Sequence, residues 1–193
     1  MLNAKEIIVV APDHYKDLAR KLTHEISKLP GCNGAFWSIK QYEDNEFQLG
    51  GNRYVLLMGN SNENRITKDF LPVLSTYLNQ AGACYGYDGS KALVFGEGKL
   101  EQAEAFKEVL KKSAAYATTA GAGAGAGVGV GVGLAGILYP IAPLWLLIYM
   151  VGRWRRSAKE KKLRQEQTKA ALTLFLAECF DKWVGIGKTE QGK

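Results

Sequence analysis

Along residues 1–112 the apolar positions fall into runs of two kinds. Ile7 to Ala11 (IIVVA) is a β-branched run closed by Pro12-Asp13, which predicts a buried strand followed by a helix start. Leu18, Leu22, Ile26 and Leu29 then recur at helical spacing as far as Pro30-Gly31. Ala35 to Tyr42 (AFWSIKQY) and Arg53 to Met58 (RYVLLM) predict a second and a third strand, the third more completely apolar and therefore central. Phe70, Leu71, Val73, Leu74, Tyr77 and Leu78 predict a second helix, interrupted early by Pro72. Ala83 to Tyr87 and Ala92 to Phe95 predict two further short strands about the Asp88-Gly89 turn. Gly98 to Lys112 predicts an amphipathic helix with Leu100, Ala103, Phe106, Val109 and Leu110 on its apolar face. Strands alternating with helices at these lengths imply a small parallel or mixed sheet covered on both faces. The expected fold for residues 1–112 is a small Rossmann-like or flavodoxin-like three-layer α/β domain.

The pattern then changes. Ser113 to Gly152 contain no charged side chain, and Ala120 to Gly136 read AGAGAGAGVGVGVGLAG. A bilayer needs about 20 apolar residues per helical span, so residues 113–152 are expected to form a membrane insert. Gly121, Gly125, Gly129 and Gly133 stand at four-residue intervals, and Gly123, Gly127 and Gly131 form a second such row. Small residues at this spacing let helices approach closely in lipid, which predicts a glycine zipper and a homo-oligomer. The opposite reading is a flexible Gly-Ala linker, since glycine weakens a water-exposed helix. The run into ILYPIAPLWLLIYMVG favours lipid. A helical hairpin fits best: Ser113 to Val132 cross once, Gly133 to Gly136 turn, and Ile137 to Arg153 return, with Pro140 and Pro143 in the first turn of the returning helix.

Beyond that segment, residues 153–193 form a long helical candidate without internal proline, and Leu172, Phe175, Leu176, Cys179, Phe180 and Trp183 make one apolar stripe. The stripe must be buried on the α/β domain, on another subunit or at a membrane surface, and the first is the default.

Charge sharpens this division. The formal net charge is +6, yet residues 1–112 carry 14 basic and 14 acidic side chains, so the whole excess lies after Gly152. Arg153, Arg155, Arg156, Lys159, Lys161, Lys162 and Arg164 form a cluster suited to an anionic cytoplasmic leaflet, with the lipid bilayer as partner. That placement makes nucleic acid an unlikely partner. Cys32, Cys84 and Cys179 are odd in number and show no metal spacing, consistent with reduced thiols. The start MLNAKEIIVVAPDH is not a signal peptide, so both the α/β domain and the carboxyl-terminal helix are expected on the cytoplasmic side of the plasma (inner) membrane.

Candidate chemistry is sparse. In an open α/β sheet, ligands sit beyond the carboxyl ends of the strands. Asp13 and His14 follow the first strand, Glu43 and Asp44 the second, and Asn60, Ser61 and Asn62 the third. Small hydrogen-bonding residues there could cradle the phosphate or ribose of a nucleotide-like ligand, and Asp13, His14, Asn60, Ser61 and Asn62 are the candidate binding residues. Capping explains the same residues without a ligand. No GxGxxG or Walker A fingerprint names a cofactor, and no nucleophile, base and orienting group stand together as an enzyme would need. The expected function is an integral membrane protein that couples a cytoplasmic sensing domain to an oligomeric membrane effector or pore-like assembly, by analogy a bacterial response to stress or phage. The alternative is a membrane-anchored enzyme or scaffold for which the glycine segment is only a tether.

Overall fold

A computed structural model gives the fold, described for residues 4–46, 52–74, 77–119 and 144–185, with side chains for 4–46, 52–74, 77–116 and 156–185. Six strands, β1 (Lys5–Val10), β2 (Cys32–Trp37), β3 (Arg53–Met58), β4 (Leu78–Gln80), β5 (Ala83–Asp88) and β6 (Lys91–Gly96), form one mixed sheet in the order β2-β1-β3-β6-β5-β4. β1 pairs in parallel with β2 and β3, and β3 with β6. β5 and β4 extend the sheet antiparallel. The α/β class read from the sequence holds, with β1, β3 and β6 inside the sheet, where near-continuous apolar runs belong because helices cover both faces.

Alternation along the strands sorts the core into two layers. On one face Ile7, Val9, Leu56, Met58, Ala92 and Val94 pack with α1 (Lys16–Ile26), α4 (Ala103–Thr119), α5 (Leu144–Glu178) and α6 (Phe180–Val184). On the other Ile8, Val10, Val55, Leu57, Leu93 and Phe95 pack under the shorter α2 (Ile39–Asn45) and α3 (Arg65–Phe70).

Two local expectations are corrected. The second strand stops at Trp37 because Ser38 opens a helix: its hydroxyl accepts from the Gln41 amide at 3.2 Å while the Gln41 side chain accepts from the Ser38 amide at 2.8 Å. This reciprocal capping box overrides the apolar residues that follow it. Of the residues assigned to the second helix only Phe70 is helical: α3 covers Arg65–Phe70, is capped by Asn64 and ends ahead of Pro72, and Leu78 belongs to the edge strand β4.

The largest correction concerns the membrane. Among the described residues no helix is long and apolar enough to cross a bilayer, which overturns the expected transmembrane effector or pore-like assembly and its tethered alternative. Leu144–Gly152 contributes nine uncharged residues to α5 before Arg153, about 14 Å of helix against the ~30 Å of a hydrocarbon core. The rest of α5 carries lysine, arginine and glutamate and belongs to the folded domain. The hairpin assigned to Ser113–Arg153 falls mostly outside the described residues. Gln102, just ahead of α4, meets Gln167 of α5 at 3.4 Å, and Lys112 meets Glu178 at 2.8 Å, so α4 and α5 run parallel. α4 leaves at the amino edge of the parallel strands, and α5 enters from their carboxyl edge. Gly121, Gly123, Gly125, Gly127, Gly129, Gly131 and Gly133, on which the zipper rested, lie outside the described residues.

The apolar stripe of the carboxyl-terminal helix is buried on the sheet. Leu174 and Phe175 have no exposed surface, and Phe175, Phe180 and Tyr54 surround Trp183 with edge contacts. Close approach requires glycine beneath α5: a Cβ on Gly96 would strike the Arg164 carbonyl and the Gln167 side chain. Ahead of this docked stretch, Arg156, Lys159, Lys161 and Lys162 are exposed, and Arg156 pairs with Glu160 at 3.2 Å.

Candidate functional site

Three chain segments meet where the parallel strands end. After β1, Pro12 holds an extended backbone and Asp13–Tyr15 make a 3-10 turn into α1 with no side-chain cap. Asp13 is exposed, His14 is 32% exposed, and Tyr15 turns inward. After β3, Gly59 adopts a φ of 94°, a left-handed conformation that favours glycine, and hands the chain to a turn over Asn60–Asn64. The third segment is α5, which crosses the end of β6 with Arg164, Gln167 and Thr168 facing the sheet.

Polar groups within this junction are mostly satisfied. The Thr168 hydroxyl accepts from the Gly96 amide at 2.9 Å, donates to the Arg164 carbonyl at 2.9 Å, and lies 3.0 Å from the Tyr15 hydroxyl. Burial pushes the Tyr15 phenol well above its usual value, so it stays protonated. Gln167, fully buried, accepts from the Gly98 amide at 2.7 Å and donates to the Ala81 carbonyl at 2.8 Å.

Charge gathers on Glu63. Its side chain is 9% exposed, and one carboxylate oxygen lies 3.4 Å from His14 Nε2 and 3.5 Å from Arg164 Nη1. The other accepts from the Asn60 amide at 3.4 Å. Two donors, Arg164 and the Asn60 backbone amide, and the His14 imidazole thus surround one carboxylate from three segments, each at long range. Arg164 is 22% exposed, yet its Nε is buried without a hydrogen-bond partner.

The five residues singled out from sequence therefore have different placements. His14 and Asn60 come together through Glu63. Asn60 is buried, with its side-chain Nδ2 donating to the Gly96 carbonyl at 3.3 Å and its side-chain oxygen accepting from the Asn62 backbone amide at 3.0 Å. Ser61 and Asn62 are exposed at the tip of the turn, and Asp13 is exposed across from them at the end of β1. Asn64 caps α3: its side chain accepts from the Ile66 amide and donates to the Met58 carbonyl. Glu43 and Asp44 lie in α2, where Glu43 pairs with Arg65 away from this junction.

Glu63, Arg164, Gln167 and Thr168 were missed from sequence. A signal existed, because Arg164, Gln167 and Thr168 continue the helical phase of Ala171, Leu172 and Phe175 and so had to face the sheet. Reading Arg164 as one more charge in a basic run hid that phase.

A cysteine nucleophile does not join this cluster. Cys84 is fully buried in the layer under α2 and α3, and burial together with the nearby Glu97 carboxylate pushes its thiol up to about 12. Among the described residues, no three His, Cys, Asp or Glu side chains gather as a metal site requires. What remains is a carboxylate ringed by an imidazole, a guanidinium and a backbone amide, an arrangement that recognises anions. No family model matches the chain, and no curated protein or solved structure is significantly similar to it.

Proposed function

We propose that this chain binds a small, nucleotide-like anionic ligand at the carboxyl ends of β1 and β3. The order β2-β1-β3 reverses direction between β1 and β3, as it does in flavodoxin-like doubly wound sheets, and that reversal opens a crevice in which such sheets take their ligands. The observation that carries the reading is the convergence of His14, Arg164 and the Asn60 amide on one acidic group at this crevice. Asp13, Ser61 and Asn62 stand exposed on the surrounding loops, available to hydroxyls or ring edges of a ligand. Arg164 contributes through a planar fork suited to phosphate or carboxylate oxygens. Backbone amides of the turn after β3 supply further donors, the usual anion-binding resource of such loops.

The test is amide chemical-shift mapping on the full chain with a panel of nucleotides and dinucleotides. Shifts confined to Asp13–Tyr15, Gly59–Glu63 and the α5 segment around Arg164, lost in His14→Ala, are the expected outcome. Unperturbed amides across the panel would overturn the reading and return Asn60, Ser61 and Asn62 to a turn-forming role.

A further inference from the structure

We infer that Glu63 is an internal stand-in for the anionic group of the ligand, so that binding is an exchange. A phosphate or carboxylate takes the position of the Glu63 carboxylate between His14, Arg164 and the Asn60 amide. The inference rests on the β1/β3 crevice being the ligand site.

The geometry around Glu63 is that of a good cradle with a poor occupant. Its carboxylate reaches His14 at 3.4 Å, Arg164 at 3.5 Å and the Asn60 amide at 3.4 Å, all beyond the 2.7–2.9 Å of a strong charge-assisted bond. A carboxylate on a short stem, anchored at the end of its own turn, cannot close on all three together. Arg164 shows the consequence: Glu63 engages it through Nη1 alone, at 3.5 Å. A tetrahedral phosphate has oxygens to spare and can take the Nη1–Nη2 end of Arg164 as a fork while still meeting His14 and the amide. Displaced, Glu63 has solvent beside it, because Ser61 and Asn62 in the same turn are exposed. The exchange also explains why a carboxylate stands in an anion site at all. Without it, Arg164, mostly buried at this junction, would have no anionic partner there.

Exchange makes a prediction opposite in sign to that for an ordinary ligand-contacting residue: removing the charge of Glu63 strengthens binding. Titration calorimetry on the full chain compares wild type with Glu63→Gln, using ADP, inorganic phosphate and uncharged adenosine. ADP and phosphate should bind the variant about fivefold more tightly, the scale of one partly exposed charge interaction, while adenosine affinity stays the same. Glu63→Asp, which withdraws the charge by one methylene, should shift ADP in the same direction and serves if Glu63→Gln does not fold. In wild type, the Arg164 Nη–H resonances should shift on adding ADP and not on adding adenosine, as the Glu63 oxygen is exchanged for phosphate. If wild type binds ADP and both Glu63 variants bind it equally or less tightly, or if adenosine gains as much as ADP, the exchange is overturned and the ligand site stands. If neither wild type nor the variants bind any of the three probes, both proposals fall.

Discussion

The two ends of the docked part of α5 are held by different kinds of contact. At the foot, by the amino edge of the sheet, Glu178 accepts from the Tyr85 hydroxyl at 2.6 Å and from Lys112 at 2.8 Å, and Tyr85 accepts from Gln80 at 2.6 Å. At the rim, by the carboxyl edge, Glu63 meets its partners at 3.4 to 3.5 Å and Arg164 keeps an unpartnered Nε. Short, mutually satisfied bonds fix a helix; long, incomplete ones leave room for another group to compete. The foot is an anchor and the rim is adjustable, although both lie on one continuous helix.

The contrast disappears if α5 comes off the sheet, and the largest effects are expected there. Phe175→Ala removes a fully buried ring from the middle of the docked stretch and should cost about 3–5 kcal/mol in chemical denaturation. A loss below about 1 kcal/mol would mean that α5 contributes little to the folded domain.

A smaller effect should come from the foot. Glu178→Gln weakens the bonds to Tyr85 and Lys112 and is expected to cost about 1–2 kcal/mol near neutral pH. Burial opposes ionisation of Glu178, but the hydrogen bonds from Lys112 and Tyr85 outweigh it and hold the carboxyl below its ordinary value. A carboxyl lowered by folding adds stability above its unfolded pKa, and the gain fades as pH falls through the folded pKa. Wild type should therefore lose its advantage over Glu178→Gln on acidification below about pH 4.5. A gap in melting temperature that stays constant into acid would remove the anchor role from the charge.

The smallest stability effect is expected at the rim. Arg164→Ala should cost less than about 1 kcal/mol, as loosely paired, partly exposed charges do, while Glu178→Gln costs more. Equal losses at the two ends would erase the distinction between anchor and adjustable rim.

Much of this arrangement was legible in the residues. Arg53–Met58 is a strand end to end because Tyr54–Met58 is an unbroken apolar run, and the stripe through Leu172, Phe175 and Trp183 had to find a core. Ile39–Tyr42 reads as strand in the sequence because its apolar content outweighs a cap that only reciprocal hydrogen bonds reveal. Leu78 was assigned to a helix by spacing alone, whereas pairing with Tyr85 makes it an edge strand. The site was half legible. His14 and Asn60 follow from the rule that ligands gather at strand ends. Glu63 and Arg164 become partners through contacts 101 residues apart, and no local pattern encodes that pairing. The membrane reading failed for a related reason. Composition described a segment in isolation, whereas its described end, Leu144–Gly152, opens a long helix whose remainder is charged and docks on the sheet.

The long reach of these contacts governs how the domain can be made. Lys5, at the start of β1, donates to the carbonyls of Val184 and Gly185, and Gly96 waits for Thr168. As the chain emerges from the ribosome, β1 to β6 are complete while Ile7, Val9, Leu56 and Met58 still lack most of the layer that covers them. That apolar face stays open until the residues of α5 and α6 have been synthesised, and contacts of such sequence separation form slowly. The nascent sheet thus passes through an exposed, aggregation-prone stage, during which a chaperone or a fast rate of elongation matters more to yield than the stability of the finished fold.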